Sequence, residues 1–347
     1  MENDLKNNLI LSSSPHIRFE ETTRSIMLDV IIALMPILGV AVYLFGWRAL
    51  VVTLVSVASC IAFEFLWQRF MKKPIRVHDL SCVVTGMLLA FCLPVTVPYY
   101  VIVLGAAFAI IICKELYGGI GKNFANPAIA ARIFLAVAYP KEMTGFIEPL
   151  LSKQAPIFGS MIDVTTRATP LVAMGNKALP AESLTDVFLG NIGGAMGETC
   201  SFLIIMCGLY LLFRGVIKLR IPISFIATVA FFAAIFHPST VDTLKWVQYS
   251  VLTGGLLLGA VFMATDYATT PSTRLGQIIF GIGCGALTAF IRIFTPNPDG
   301  VAYAILFMNC TVGLIDKHIH PRRFGMKPFR KGLKPGFRAK KPEKKGV

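Results

Sequence analysis

Residues 163–175, "DVTTRATPLVAMG", place an unusual density of hydroxyl groups between two apolar blocks. Thr165, Thr166 and Thr169 fall within five positions, after an aspartate and directly before a proline. A threonine hydroxyl can carry a phosphoester, and an accessible, extended peptide suits an enzyme that attaches such a group. In an ordinary loop, the same hydroxyls bond the local backbone. These residues by themselves leave both interpretations open.

Ionisable side chains in and near the apolar segments form a second candidate set. A charge at membrane depth is costly and often marks an ion pathway or a buried pair. Four such residues have apolar surroundings and four lie near the ends of apolar runs: Asp29, Glu64, Arg132 and Arg292, then Asp79, Glu115, Glu198 and Asp266. We expect Glu64 at shallow depth, and the two arginines either near the membrane surface or paired with these acids.

The cysteines and histidines do not form a metal-ligand pattern. Eight cysteines all fall in or beside apolar runs, and no two are spaced as CxxC. Structural zinc and iron–sulfur sites need clustered ligands. We therefore predict no metal site, and expect the cysteines to be small buried apolar residues.

The elements that must position these residues are membrane helices. Of 347 residues, 55% are hydrophobic and 15% charged, with mean hydropathy +0.68. Soluble domains carry roughly 25% charge. The first 25 residues are polar and lack the basic-then-apolar order of a cleavable signal peptide. The composition predicts an integral membrane protein whose first helix directs its own insertion.

Ten apolar spans follow from the hydropathy pattern, several of them shorter than the roughly 20 residues that cross a bilayer. They cover residues 26–45, 49–68, 80–94, 99–116, 125–139, 187–213, 221–237, 246–265, 275–294 and 301–316. Five regions result: a cytoplasmic N-terminal segment (1–25), two membrane regions (26–139 and 187–316), a connecting loop (140–186) and a basic tail (317–347).

Basic residues set the predicted orientation. From residue 316 to the end, the chain has twelve Lys/Arg against two Asp/Glu, and its composition is that of a disordered tail. Beside a membrane helix, we interpret this run as a topology signal that also contacts anionic lipid, rather than as a nucleic-acid site. The loops after the second and sixth spans are also basic. Both termini are then cytoplasmic, and the 140–186 loop lies on the outer face.

The two membrane regions resemble each other. Thr85–Gly86 and Thr253–Gly254 each open a Leu-rich run, and about forty residues later come Asn126–Pro127 and Asn297–Pro298, each heading another apolar run. The matching order predicts two five-helix repeats of opposite orientation, the plan of many transport folds. Each Asn-Pro pair is either a simple helix cap or irregular backbone lining a ligand site or pathway.

Four stretches in sequence, "SSSPHIRFEETTRSIMLDVIIALMP", "DLSCVVTGMLLAFCLP", "KELYGGIGKNFANPAIAARIF" and "ATPL", resemble RnfD, the D component of the Rnf complex. The chain is similar, more distantly, to NqrB of the sodium-pumping NADH:quinone reductase. In that family a threonine in a motif like Asp-x-x-Ser/Thr-x-Ala-Thr carries FMN through a phosphoester. Asp163, Thr166, Ala168 and Thr169 match this motif, so the resemblance implies covalent FMN on Thr169. Arg167 stands where the family usually has a small residue.

The resemblance implies a membrane flavoprotein subunit of a prokaryotic ferredoxin:NAD⁺ oxidoreductase that moves Na⁺ or H⁺ across the cell membrane. Implied partners are the NADH-binding, iron–sulfur, second covalent flavoprotein and small membrane subunits, with a flavin transferase for maturation. Non-covalent riboflavin is implied for some relatives, and Asn126 and Asn297 are candidate cofactor contacts. NADH and ferredoxin sites belong on other subunits, because no GxGxxG follows a strand and no cysteine cluster is present.

Three other interpretations remain at this point. The implied urea-channel-like fold also suits a channel or solute carrier without redox chemistry, because fold does not fix function. A subunit of a sodium-pumping NADH:quinone reductase is the second alternative. A purely structural anchoring subunit is the third.

Overall fold

The computed structural model describes residues 22–147, 149, 169–239, 241–295 and 299–319, and the regular elements in these ranges are helices. The α-helices in chain order are α1 (Thr23–Phe45), α2 (Trp47–Phe70), α3 (Ser81–Phe91), α4 (Tyr99–Ala107), α5 (Pro127–Ala138), α6 (Pro140–Met143), α7 (Pro170–Gly175), α8 (Leu184–Leu189), α9 (Ser201–Phe213), α10 (Arg220–Ile235), α11 (Thr243–Leu252), α12 (Leu256–Leu258), α13 (Arg274–Phe294) and α14 (Val301–His318). The all-helical fold class is as predicted.

Several of these helices have membrane character. Among the described residues, α1, α2 and α13 are long and apolar enough to cross a bilayer, and α11 with α12 forms a further span bent by 59°. Helices α3, α5, α9 and α10 are apolar but shorter. Large apolar side chains such as Trp47, Phe213 and Phe290 are exposed on the outside, where lipid suits them and water does not. The chain is a multi-pass membrane protein; its ten spans and five regions stay predictions.

Helix α3 lies at the centre of the core. Nine of its eleven residues are buried, and it packs against α1, α2 and α5. Ser56 Oγ donates to the Gly86 carbonyl at 2.7 Å, which holds α2 close to this helix. The first Thr-Gly pair is therefore inside a continuous helix.

The second Thr-Gly pair is different, because it breaks the chain between α11 and α12. Gly254 has φ +70°, a left-handed conformation that glycine adopts without strain. The resemblance of the two halves at this motif is thus one of sequence rather than of local structure.

The predicted span 187–213 is wrong over its first part, since α9 begins only at Ser201. Four glycines lie between residues 190 and 197, and glycine disfavours helix by about 1 kcal/mol each. The Gly197 N–H instead donates to the Phe91 carbonyl at 2.9 Å. This segment joins the end of α3 to the second half of the chain.

Two π-helical segments continue shorter helices. Phe108–Glu115 extends α4, and Gly259–Met263 extends α12. Such wide turns often occur at functional sites. The first carries Lys114 and Glu115 into the interior, where both are buried.

Helices α10 and α13 approach closely through small residues. Gly281 and Gly285 lie one turn apart on α13, and an added Cβ would come within 2.9 Å of the Ile221 carbonyl and 2.8 Å of the Phe225 carbonyl, respectively. Because lipid is as apolar as leucine, such contacts rather than the hydrophobic effect hold membrane helices together.

The cysteine prediction is confirmed for seven residues and wrong for one. All eight are free thiols; Cys310 is exposed on α14, whereas the others are buried. No group of metal-ligating side chains occurs in the described ranges.

Candidate functional site

Thr169 is described, at the start of α7, where it adopts an extended conformation. Its side chain makes no capping hydrogen bond with the helix, although threonine is a common cap at this position. Thr169 lines a cavity of about 260 Å³. Asp163, Thr166 and Ala168 lie outside the described residues, so their place in the attachment motif stays a prediction.

Segments from both membrane regions wall this cavity. Arg132 and Ala136 come from α5, Glu198 and Thr199 from the segment before α9, and Asp299 from the residues just before α14. Apolar side chains also line the wall, among them Met143, Phe146 and Leu171. The cavity is thus both apolar and charged, with its charges on one side.

Those charges form one ionic cluster. Arg132 Nη1 donates to Glu198 Oε1 at 2.8 Å, and its Nη2 bonds Asp299 Oδ2. The Arg132 and Glu198 side chains are each 10% exposed, and the Asp299 side chain is 33% exposed. The expected pairing of Arg132 with an acid is confirmed, and the pair joins the two halves of the chain.

Arg292 lies beside this cluster, but it donates to backbone carbonyls at the helix break instead of pairing with an acid. Its Nη1 donates to the Ser250 carbonyl at 2.6 Å and its Nη2 to the Thr253 carbonyl at 3.2 Å. These carbonyls have no partner within α11, because the helix ends there. An added Cβ at Gly255 would come within 2.5 Å of Glu198 Oε1. The break therefore allows the ionic cluster to approach the backbone.

The same break positions Thr169. Leu171 packs so close to Gly254 that a Cβ atom added to this glycine would lie 3.0 Å from Leu171 Cδ2. Beside it, Thr253 Oγ1 lies 3.7 Å from Met174 Sδ. Helix α7 thus rests on the junction between α11 and α12. Because α7 starts at Pro170, this contact fixes the side of the cavity on which Thr169 lies.

Asn126 lies at the opposite end of α5 and is 3% exposed. Its Oδ1 accepts from the Ala128 N–H at 3.0 Å, which confirms the predicted cap. Its Nδ2 also donates to the Met263 carbonyl at 3.2 Å. The Asn309 amide, oriented to satisfy both its partners, accepts from the Asn126 N–H and donates to the Thr269 carbonyl, each at 3.1 Å. Asn297 lies outside the described residues.

A smaller cavity of about 100 Å³ lies at this end. Asn123, Asn126, Lys114 and Asp266 contribute its polar lining. Burial raises the pKa of the Asp266 carboxyl above its ordinary value. Helices α3 and α5 both run from this cavity to the larger one. Asn126 and Arg132 are six residues apart, or about 9 Å along the helix.

A second ionic cluster, which the sequence did not predict, lies beside the smaller cavity. Lys114 Nζ lies 2.5 Å from Glu64 Oε2 and donates to Ser81 Oγ at 2.7 Å. Gln68 Nε2 then donates to both Glu64 and Glu115. Glu64 is 2% exposed, so it is buried within the protein, and its depth in the membrane stays a prediction. Lys114 is absent from the sequence candidates because a basic residue near the end of a predicted span ordinarily faces the headgroups.

The sequence matches a described family over most of its length. A profile of the NQR2, RnfD, RnfE family covers residues 10–325, which include both clusters and both cavities. The chain belongs to this family. Family membership therefore rests on the whole membrane region rather than on the threonine motif alone.

Relatives of this family member align over nearly their full length. The D component of the Na⁺-translocating ferredoxin:NAD⁺ oxidoreductase complex of Acetobacterium woodii is 42% identical over 330 residues, or 94% of this chain and 98% of the relative. The D component of the complex named as proton-translocating, from Clostridium ljungdahlii, is 37% identical over 92% and 97% of the two chains. The D component of an ion-translocating oxidoreductase complex from Stutzerimonas stutzeri is 38% identical, over 86% and 91%.

Proposed function

We propose that the chain is the membrane flavoprotein subunit of an Rnf-type ferredoxin:NAD⁺ oxidoreductase that couples electron transfer to Na⁺ or H⁺ translocation. The observation that carries this proposal is the position of Thr169 in a cavity walled by both membrane regions. Relatives named as the D component of such complexes, aligned over nearly their whole length, support it. FMN is proposed to be joined to Thr169 through its phosphate.

The cavity has the properties that a tethered flavin needs. At about 260 Å³, this cavity lies slightly below the roughly 300–1,000 Å³ of sites that enclose a small molecule, which suits a ring that is enclosed only in part. Its rim includes exposed residues, Val172 and Tyr303. A flavin that exchanges electrons with a neighbouring subunit is held with one edge outside, so the cavity fits a partly enclosed ring.

The chain's own residues would bind, orient and shield the cofactor. FMN supplies the electron-transfer chemistry, and the protein tunes it. Thr169 anchors the phosphate, and Met143, Phe146 and Leu171 offer the ring an apolar surface. The Arg132 cluster adds fixed charges to the cavity wall. Arg167, which lies outside the described residues, is a candidate partner for the phosphate because a guanidinium group bonds phosphate well.

The smaller cavity does not fit a second flavin. At about 100 Å³ it lies well below the size of a small-molecule site. We therefore place no riboflavin against Asn126. Asn126 is instead proposed to affect transport through its bond to the Met263 carbonyl, which connects the two membrane regions.

Other Rnf-type subunits are the proposed partners, with electrons exchanged at the outer face with a second covalent flavoprotein. A flavin transferase attaches the FMN.

Flavin fluorescence separates this proposal from its rivals. The full-length chain, produced with a flavin transferase, is denatured in SDS and the gel band is inspected for fluorescence. Covalent flavin supports the redox subunit. Its repeated absence from protein of the native host would favour a channel, a solute carrier or a structural anchor. The sodium-pumping NADH:quinone reductase alternative predicts quinone reduction instead of ferredoxin:NAD⁺ activity in the isolated complex.

Ten spans in two inverted repeats, with both termini cytoplasmic, remain the proposed topology. Reporter fusions after Val347 and after Gly175 should report opposite sides of the membrane, with Val347 inside. This expectation follows from an even number of spans and from the basic loops. The same side for both fusions would contradict the even count and the outward position of Thr169.

Replacing Asn126 by alanine should leave the subunit assembled and flavinylated but slow electron transfer or ion uptake in inverted vesicles. The change removes a cap, which costs about 1 kcal/mol, and leaves the Met263 carbonyl without its donor, which costs about 1–3 kcal/mol. Neither loss is large enough to unfold an assembled complex. The same outcome is predicted for Asn297→Ala.

Asn191→Ala is the control, because that asparagine is exposed and lies outside the lining of both cavities. Its rates should stay near those of the wild type. Normal rates for Asn126→Ala at normal subunit levels would reduce Asn126 to a simple helix cap.

A further inference from the structure

The ionic cluster in the larger cavity has no spare positive charge. Among the described residues that line the cavity, Arg132 supplies one positive charge, and Glu198 and Asp299 supply two negative ones. Arg292 lies outside this lining and donates to two backbone carbonyls. Cys92 and Tyr303 are the other titratable side chains in the described lining. The phosphate of the proposed FMN is itself negative, with Arg167 as its candidate partner. A further negative charge on the flavin ring would then add to the excess of the walls, and water screens poorly at such depth.

Asp299 has one oxygen that the cluster does not use. Its Oδ2 bonds Arg132, whereas Oδ1 is buried and finds no hydrogen-bond partner among the described residues. A buried polar atom without a partner is rare and calls for an explanation. A bound proton gives this oxygen a role, because a protonated carboxyl can donate a hydrogen bond.

Asp299 is also the more exposed of the two carboxyl side chains. Its side chain is 33% exposed, against 10% for Glu198, although Oδ1 itself is buried. The Glu198 carboxylate lies against Gly255 and is held by Arg132. Asp299 begins the turn into α14, at the same edge of the cavity as the exposed Tyr303.

We propose that the Glu198–Asp299 carboxylate pair binds one proton, at Asp299 Oδ1, when the flavin on Thr169 gains an electron. The electron comes from the reductant of the flavin, and the proton comes from water at the cavity rim. When the electron leaves, the O–H bond breaks and the proton returns to water. The negative charge that the electron adds is then matched by one proton. The inference rests on the proposed function, since it requires a flavin on Thr169.

The first test is redox-induced infrared difference spectroscopy on the full-length flavinylated chain in detergent. Reduction of the wild type should produce a stretching band of a protonated carboxyl that shifts in D₂O. The band should be lost in Asp299→Asn. Absence of the band in the wild type would overturn the proposal without any variant. If Asp299→Asn does not fold, Glu198→Gln serves, because changing the partner should shift the band.

The second test is the flavin midpoint potential as a function of pH. Asparagine at position 299 cannot become negative, so Asp299→Asn should match the wild type at low pH and have a more positive potential at high pH. Parallel curves would overturn the proposal. The control is Asp242→Asn at the exposed start of α11, which should follow the wild type throughout.

Two further outcomes remain distinct. A potential that depends on Na⁺ at fixed pH, without a carboxyl band, would assign charge balance to Na⁺ and overturn the proton. A wild-type chain without fluorescence on the denaturing gel would instead refute the proposed function. Covalent flavin with neither pH nor infrared signature refutes this inference alone.

Discussion

We expect Thr169→Val to abolish the proposed covalent flavin while the subunit remains in the membrane. Valine keeps the shape of threonine but lacks the hydroxyl that would form the phosphoester. The Thr169 side chain makes no capping bond with α7, so the substitution costs the helix little. In-gel fluorescence should fall to background, while immunoblotting of membranes shows normal subunit levels.

The matched controls are Thr165→Val and Thr166→Val in the same segment. Thr165→Val should keep its fluorescence, because that residue lies outside the attachment motif. Thr166→Val should reduce fluorescence at most in part, since a motif residue assists recognition but does not carry the bond. Retained fluorescence in Thr169→Val, with loss in either control, would move the attachment site.

Arg132→Met should destabilise the subunit more than any other single change considered. The substitution keeps most of the side-chain length but leaves Glu198 and Asp299 without their shared counter-ion. Removing one partner of a buried ion pair costs about 3–5 kcal/mol. We expect a large loss of subunit from membranes and a lowered melting temperature of the purified chain.

Arg214→Met is the comparison variant. Arg214 pairs with Asp29 at 3.0 Å; the Arg214 side chain is 52% exposed and the Asp29 side chain is 10% exposed. Because water screens the arginine side of this pair, the variant should lose less stability than Arg132→Met, although Asp29 stays buried. Adding Glu198→Gln to Arg132→Met should restore part of the stability, because one uncompensated charge disappears. Equal losses for Arg132→Met and Arg214→Met would show that the cluster is not a structural joint.

Local features of the site could be predicted from sequence, and long-range ones could not. The Asn126 cap followed from an Asn-Pro pair before an apolar run, because capping involves only the next few residues. The bond from Asn126 to the Met263 carbonyl spans 137 positions and depends on how helices pack. Arg132 meets Asp299 across 167 positions for the same reason.

Hydropathy also misled at particular residues. The predicted start of α9 is too early because glycine does little to lower an apolar average, although it ends helices. The break at Gly254 falls in a predicted Leu-rich span. The sequence does not reveal this break, because only backbone geometry distinguishes Gly254 from Gly86 inside α3. Lys114 escapes a sequence-based search because a basic residue at a predicted span end ordinarily faces the headgroups.

The close contact between α10 and α13 has a consequence for how the protein is made. Phe225 leaves the ribosome sixty residues before Gly285, which at roughly 5–20 residues per second is a delay of about 3–12 s. During that interval the face of α10 meets lipid or the insertion machinery alone. Ser224 Oγ donates to the Arg220 carbonyl and Thr228 Oγ1 to the Ser224 carbonyl, both at 2.7 Å. The hydroxyl groups of these two side chains, which later pack against the α13 glycines, are thus hydrogen-bonded within α10 itself. Helix α10 can therefore stay in the bilayer without unpaired hydroxyl groups until α13 is synthesised.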